Sequence, residues 1–309
     1  MYFPYLRGKQ YELLTVRETA PILAASNFVP IIEPVKQALG GLERSLDAVC
    51  EASGRAVVIV NPYHGDHSSG DGISDLLNDS YANKVGIETG VLLKDDTSAA
   101  MVADLVSKHD KQCTLIHAGF TNAKSLADVF GDDLFNMRHV FFEDFCGKLY
   151  RKHFSGSKRV LLRDGFERRR NRDHPFVESF SDLHVTFAEE GMNGFGDFLI
   201  AGDDYTEGGG PAYAVAIHLT FIDPDQDNEM FIYHFKSISQ NTPTDPAGKF
   251  AQALAAMIAK LDSGTSKVLE TEAVKEFREL FAKKHFPGLG YVKKLSMKHH
   301  IETLAAFFN

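Results

Sequence analysis

Short apolar runs recur along the first two thirds of the chain, and each closes on polar or charged side chains. VPIIEPV holds Glu33, AVVIVNPYH ends at Asn61 and His64, and CTLIHAGF carries His117. HVFFEDF carries Glu143 and Asp144, RVLLRDGF carries Asp164, and GDFLIAGDD carries Asp197 and Asp203. Continuous apolar runs mark parallel strands buried on both faces. Strands are expected at residues 2–6, 28–34, 55–61, 85–93, 113–117, 139–145, 159–163 and 197–201. Apolar residues at helical spacing, such as Leu42, Leu46, Val49 and Cys50, fill the intervals between most of them.

The repeat matches a strand–helix–strand unit. Eight strands, with no Gly-x-Gly-x-x-Gly turn after the first, favour an α/β fold of the (β/α)8 TIM-like barrel type over an open doubly wound sheet. Beyond the eighth strand the pattern changes. AYAVAIHLTFI and EMFIYHFKSI flank the turn-rich DPDQDN and predict a β-hairpin insertion within residues 205–240. Residues 247–309 read as helices. The whole chain, 1–309, is expected to be a single barrel domain with these additions.

At 309 residues and 44% hydrophobic, the chain can bury a core without staples. A net charge of −9 argues against a surface that coats nucleic acid, while leaving room for a local basic patch. Cys50, Cys113 and Cys146 are odd in number and far apart, which excludes a zinc-ribbon or disulfide framework. The N-terminus lacks the pattern of a signal peptide. No run approaches the roughly 18–20 apolar residues that span a bilayer. A soluble, cytoplasmic protein with no membrane partner is expected.

The strand ends supply the candidate chemistry. Glu33, Glu143 and Asp197 could converge at the barrel mouth and hold Mg²⁺ or Mn²⁺, which prefer oxygen ligands. The competing structural reading has such carboxylates capping helices and solvating loops. His117, delivered by its strand, is the expected acid–base group; His64 and His67 lie in a loop where surface histidines are common. The segment RDGFERRRNRDHP places Arg163 and Arg169 among five arginines suited to phosphate. Arg7 and Lys9, after the first strand, form a second expected anion clamp. Expected roles are therefore Glu33, His117 and Asp197 in catalysis, Arg7, Lys9, Arg163 and Arg169 in substrate binding, and Glu33, Glu143 and Asp197 on the metal.

The opening PYLRGKQYELL followed by PIIEP resembles the phage and bacterial "Beta protein" family, through Pro4, Arg7, Lys9, Glu12, Pro30 and Glu33. The later Gly196-Asp197-Phe198 resembles a Gly-Asp-aromatic element of that group, and GGPAYAVAIHLTFIDP and TPTDPAGKF look typical of a narrower, uncharacterised bacterial family. The resemblance runs nearly end to end. It implies a TIM-barrel fold and a setting in phage, mobile-element or defence biology, without implying a reaction.

Two functional classes follow. The first is a metal-assisted hydrolase of a phosphoester, a phosphorylated small molecule or a nucleic acid. The second is a non-catalytic barrel that binds a partner protein or phage component, with Tyr205, Tyr213 and Tyr233 as anchors. A sugar hydrolase using Glu33 and Glu143 ranks third, since the chain has no tryptophan for flat sugar faces.

Overall fold

The computed structural model describes residues 1–66, 71–109, 112–208 and 210–309; His67 lies outside them. The chain divides into two compact units, Met1–Arg163 with Thr186–Phe198, and Asp164–Val185 with Leu199–Asn309.

The first unit is the barrel. Its strands are β1 (Tyr5–Leu6), β2 (Ile31–Ile32), β3 (Ala56–Ile59), β4 (Ile87–Leu93), β5 (Cys113–His117), β6 (Arg138–Phe142) and β7 (Lys158–Leu162). β8 (Val177–Ser181) belongs to the second unit, and β9 (Gly194–Gly196) completes the parallel sheet in the order β1-β2-β3-β4-β5-β6-β7-β9. Phe3 N donates to Phe195 O at 2.8 Å and Tyr5 N to Asp197 O at 2.9 Å, so the first and last strands meet and the sheet nearly closes. Helices α1 (Gln10–Ala25), α2 (Gly40–Glu51), α3 (Asp71–Ser80), α4 (Ala99–Ser107), α5 (Ala123–Phe130) and α6 (Lys148–Lys152) flank it. Side-chain caps start two of them: Ser98 accepts from Met101 N at 3.2 Å and Asn122 from Ser125 N at 3.3 Å.

Strand alternation sorts the barrel wall into two faces. Tyr5, Ile31, Ile59, Ile116, Phe142 and Leu162 belong to the interior cluster, which is filled with side chains. At the N-terminal end, Glu88 and Arg138, both nearly fully buried, pair with each other, and Arg55 Nε reaches Glu88 Oε1 at 3.1 Å. That end is plugged by charge, which leaves the opposite end for chemistry.

The eighth strand departs from its expected position. The run at 197–201 is not extended: Leu199 has φ 52° and residues Leu199–Ala201 form a 3-10 turn. The strand lies just before it, at Gly194–Gly196. A Cβ on Gly196 would sit 2.1 Å from Phe3 O, so only glycine lets β9 approach the first strand here.

In the second unit, β10 (Ala216–Asp223) and β11 (Glu229–Lys236) form the expected hairpin, and β8 pairs antiparallel with β11 to make a three-stranded sheet. The turn is made by Asp227 and Asn228 in the left-handed region, which these short polar residues tolerate. The short α7 (Leu183–Thr186) precedes helices α8 (Pro246–Asp262), α9 (Glu272–Lys283) and α10 (Leu289–Phe308). Ile217, Leu219 and Phe235 of the sheet pack with Phe250, Phe277 and Leu295 of these helices. Among the described residues no helix is long and apolar enough to cross a membrane.

Candidate functional site

The C-terminal end of the barrel gathers charged side chains from six strand ends. Arg7 follows β1, Glu33 β2, Tyr63 and His64 β3, Lys94 β4, Glu143 β6 and Arg163 β7. Beneath them Tyr5, Phe142 and Phe198 pack edge-to-face or tilted with centroids 5.1–5.3 Å apart, closing the mouth from the interior.

Glu33 is the centre of this arrangement. It is 1% exposed, and its Oε1 accepts hydrogen bonds from Tyr63 N at 2.9 Å, His64 N at 3.0 Å and the His64 ring Nδ1 at 3.1 Å. Its Oε2 accepts from Tyr5 OH at 2.9 Å and lies 3.6 Å from Arg7 Nε. Burial alone would raise the Glu33 pKa. The bonds and charge from His64, with the Tyr5 hydroxyl, outweigh burial and hold it below the usual carboxylate value. The loop that brings His64 here passes over β2 at Gly65, where a Cβ would lie 2.0 Å from Val35 O and φ is 82°. No side chain fits at that crossing.

With Glu33 accepting from Nδ1, the neutral tautomer of the His64 ring has its lone pair on Nε2, and the side chain is 26% exposed. Arg7 is buried with its guanidinium 5.7 and 5.6 Å from the Tyr5 and Phe198 ring centroids. Lys94 Nζ sits 4.6 Å from the Tyr63 ring and 5.3 Å from the Phe145 ring, both of them more than half exposed. Arg163 forks onto Glu143, with Nε–Oε2 2.5 Å and Nη2–Oε1 3.2 Å. The result is a carboxylate-held imidazole at the C-terminal end of the barrel, alongside three cationic side chains.

Other expected site residues stand elsewhere. His117 points away from the mouth, because Ile116 and Ala118 on either side of it face the interior. It is 0% exposed, and its ring stacks on Phe141 and Phe154. Tyr150 OH donates to its Nδ1 at 2.7 Å, its Nε2 donates to His139 Nδ1 at 3.0 Å, and His139 Nε2 donates to Leu134 O at 2.9 Å. Burial, then His139, holds His117 well below the usual histidine value, so it stays neutral inside the wall. Asp197 is also on the outer face, accepting from Tyr2 OH at 2.7 Å through Oδ1. Lys9 stands at the start of α1, where its carbonyl accepts from Leu13 N at 2.9 Å. Arg169 lies in the second unit and grips both oxygens of Glu178, at 2.7 and 2.5 Å.

The three carboxylates expected to share Mg²⁺ or Mn²⁺ are thus held by separate sets of partners: Glu33 by His64, Tyr63 and Tyr5, Glu143 by Arg163, and Asp197 by Tyr2. Among the described residues, the one group of three potential ligands with atoms within 4.8 Å is His174, Glu178 and His234, in the second unit. A groove between α1 and α2, about 650 Å³ and lined largely by alanines, brings no convergent polar groups together. Compared with known proteins, the chain matches no family model, no curated protein and no solved structure.

Proposed function

We propose that the barrel mouth binds a small phosphorylated compound and hydrolyses it by acid–base chemistry centred on His64. The observation that carries this reading is the contact of Glu33 Oε1 with His64 Nδ1, which in the neutral ring puts the proton on Nδ1 and makes Nε2 the basic nitrogen. A buried carboxylate behind an imidazole also stabilises the imidazolium formed when the ring takes a proton from water. Arg7, Lys94 and Arg163 supply positive charge where a phosphoryl group would gather negative charge. His117 has no part in this scheme, and the chemistry needs no ion shared by Glu33, Glu143 and Asp197. The resemblance that rests on Arg7 and Glu33 would set the activity in phage or mobile-element biology.

A screen of phosphomonoesters, phosphodiesters and nucleotides, run on the native chain and on His64→Ala, tests the reading. General-base catalysis is worth about 10²–10⁴-fold, so His64→Ala should lose at least about 10²-fold in kcat. Equal turnover by the two proteins would rule the mechanism out.

A second reading, partner binding by the same face, is favoured by Tyr63 and Phe145, which are 57% and 52% exposed on either side of Lys94. Of the tyrosines expected as anchors, Tyr233 is buried and Tyr213 is exposed.

A further inference from the structure

The second unit holds a cleft of about 920 Å³, separate from the barrel mouth and within the size range of small-molecule sites. Arg170, Arg172 and Lys293 lie along it, with Phe166 and Tyr213 offering aromatic faces and His218 lining it between them. Among the described residues no carboxylate pairs with Arg170 or Lys293, and Arg172 has only the adjacent Asp173 at 3.6 Å. The cations are therefore not already neutralised, unlike Arg169, which is committed to Glu178.

His218 is held by a hydrogen bond to His234, whose ring lies beside Glu178. Glu178 Oε1 lies 3.0 Å from His234 Nε2, and His234 Nδ1 lies 2.7 Å from His218 Nδ1. One Nδ1 donates and the other accepts, and His218 Nε2 is the ring atom not used in that bond. Burial, then His234, holds His218 well below the usual histidine value, so the ring is neutral.

His174, Glu178 and His234 offer a rival use as metal ligands. Two features weigh against it. The His174 and His234 rings are stacked with centroids 4.3 Å apart and planes 20° apart. Nitrogen lone pairs lie in the ring planes, so two nearly parallel planes do not direct them at one ion about 2.0 Å from each. Arg169 also already spans both oxygens of Glu178.

We infer that this cleft is a second ligand site, for a nucleoside diphosphate or a phosphorylated compound of similar size. Arg170, Arg172 and Lys293 take the phosphates, Phe166 or Tyr213 covers the planar ring, and His218 Nε2 hydrogen-bonds to a polar group of the ligand. The inference does not rest on the barrel-mouth chemistry.

Calorimetric titration of the full chain with ADP, inorganic pyrophosphate and adenosine tests it, alongside the double variant Arg170→Ala/Lys293→Ala and the barrel variant His64→Ala. The expected result is ADP binding stronger than either pyrophosphate or adenosine, weakened at least tenfold in the double variant and unchanged in His64→Ala. The same titration followed by ¹⁵N NMR of labelled histidine should move the His218 ring signals. Arg170 and Lys293 are exposed, so the double variant should melt with the native protein. No ADP binding, ADP binding untouched by the double variant, loss of binding in His64→Ala, or pyrophosphate binding as tightly as ADP would each overturn the inference.

Discussion

Glu33 Oε1 and His64 Nδ1 lie 3.1 Å apart, although 31 positions separate them in the chain. That pairing makes a buried carboxylate both a structural anchor and the orienting group of the proposed base. Glu33→Gln replaces one acceptor oxygen by a donor and sets it against either the Tyr5 hydroxyl or the Tyr63 and His64 amides. One buried group is left unsatisfied, at a cost of about 1–3 kcal/mol. Urea denaturation should show that loss, and kcat on any substrate found should fall as well. A variant as stable and as active as the native chain would refute both roles.

The acid limb of the stability curve should carry the mark of Glu33. Burial would raise its folded pKa, but the His64 and Tyr5 bonds outweigh that and hold it below the usual 4.5. A depressed folded value means the ionised group stabilises in full above about 4.5 and stops doing so as pH falls through the folded value. The stability gap between native protein and Glu33→Gln should therefore be widest near neutrality and narrow below 4.5. Denaturation curves of both proteins across that range would decide it. A gap that stays constant would mean Glu33 is not held as the anion.

His117 and His139 add a separate acid sensitivity from the barrel wall. Burial lowers His139 to about 4 from 6.5, and His117 is pushed down too. The unfolded chain takes up these protons first, so their contribution is complete above 6.5 and is lost as pH falls from there toward 4. His117→Phe keeps an aromatic ring against Phe141 and Phe154 but strands Tyr150 OH and His139. It should cost about 1–3 kcal/mol near neutrality, flatten the slope between 6.5 and 4, and leave turnover unchanged. A large fall in kcat with normal stability would return His117 to the chemistry.

The barrel was legible because strands buried on both faces must be apolar throughout, and that leaves runs such as VVIV and VLL whatever the loops do. β9 was displaced in the reading because its two glycines resemble a turn. The constraint that demands them, the approach of Phe3 O to Gly196, is a contact between distant parts of the chain. β8 escaped notice because VESFS mixes polar residues with an edge-strand position and follows Pro175. Glu33 could be placed from its strand end alone, whereas His64 looked like one more loop histidine. Its partner is set by the crossing at Gly65, which local sequence does not report. The alternation of Ile116, His117 and Ala118 did contain the signal that His117 faces outward.

Asp197 separates the metal-free scheme from the metal-assisted one. It accepts from the Tyr2 hydroxyl at 2.7 Å on the outer face of the wall, where the carboxylate helps join the last strand to the first. Asp197→Asn keeps the shape and one acceptor, so the expected loss is about 1 kcal/mol of stability with kcat within a few fold of native. Thermal melts and turnover with and without a chelator would be run on both proteins. Abolished turnover in the variant, together with chelator sensitivity of the native chain, would restore the shared-ion scheme.

The plug at the opposite end of the barrel should be dominated by the penalty for leaving a charge alone. Glu88 and Arg138 are 2% and 3% exposed, with Arg138 Nη1 also 3.1 Å from Thr114 Oγ1 and its guanidinium 5.2 Å from the Phe3 ring. Removing only the carboxylate, in Glu88→Leu, leaves Arg138 uncompensated in the interior, and such breaks cost about 3–5 kcal/mol. Replacing both, in Glu88→Leu/Arg138→Met, removes the stranded charge, although Arg55 still lies at the rim and limits the recovery. The double variant should therefore be more stable than Glu88→Leu alone, despite carrying one more change. A double-mutant cycle by chemical denaturation measures the difference directly. Simple additivity of the two substitutions would mean that the pair is solvated, and that this end of the barrel is open to water.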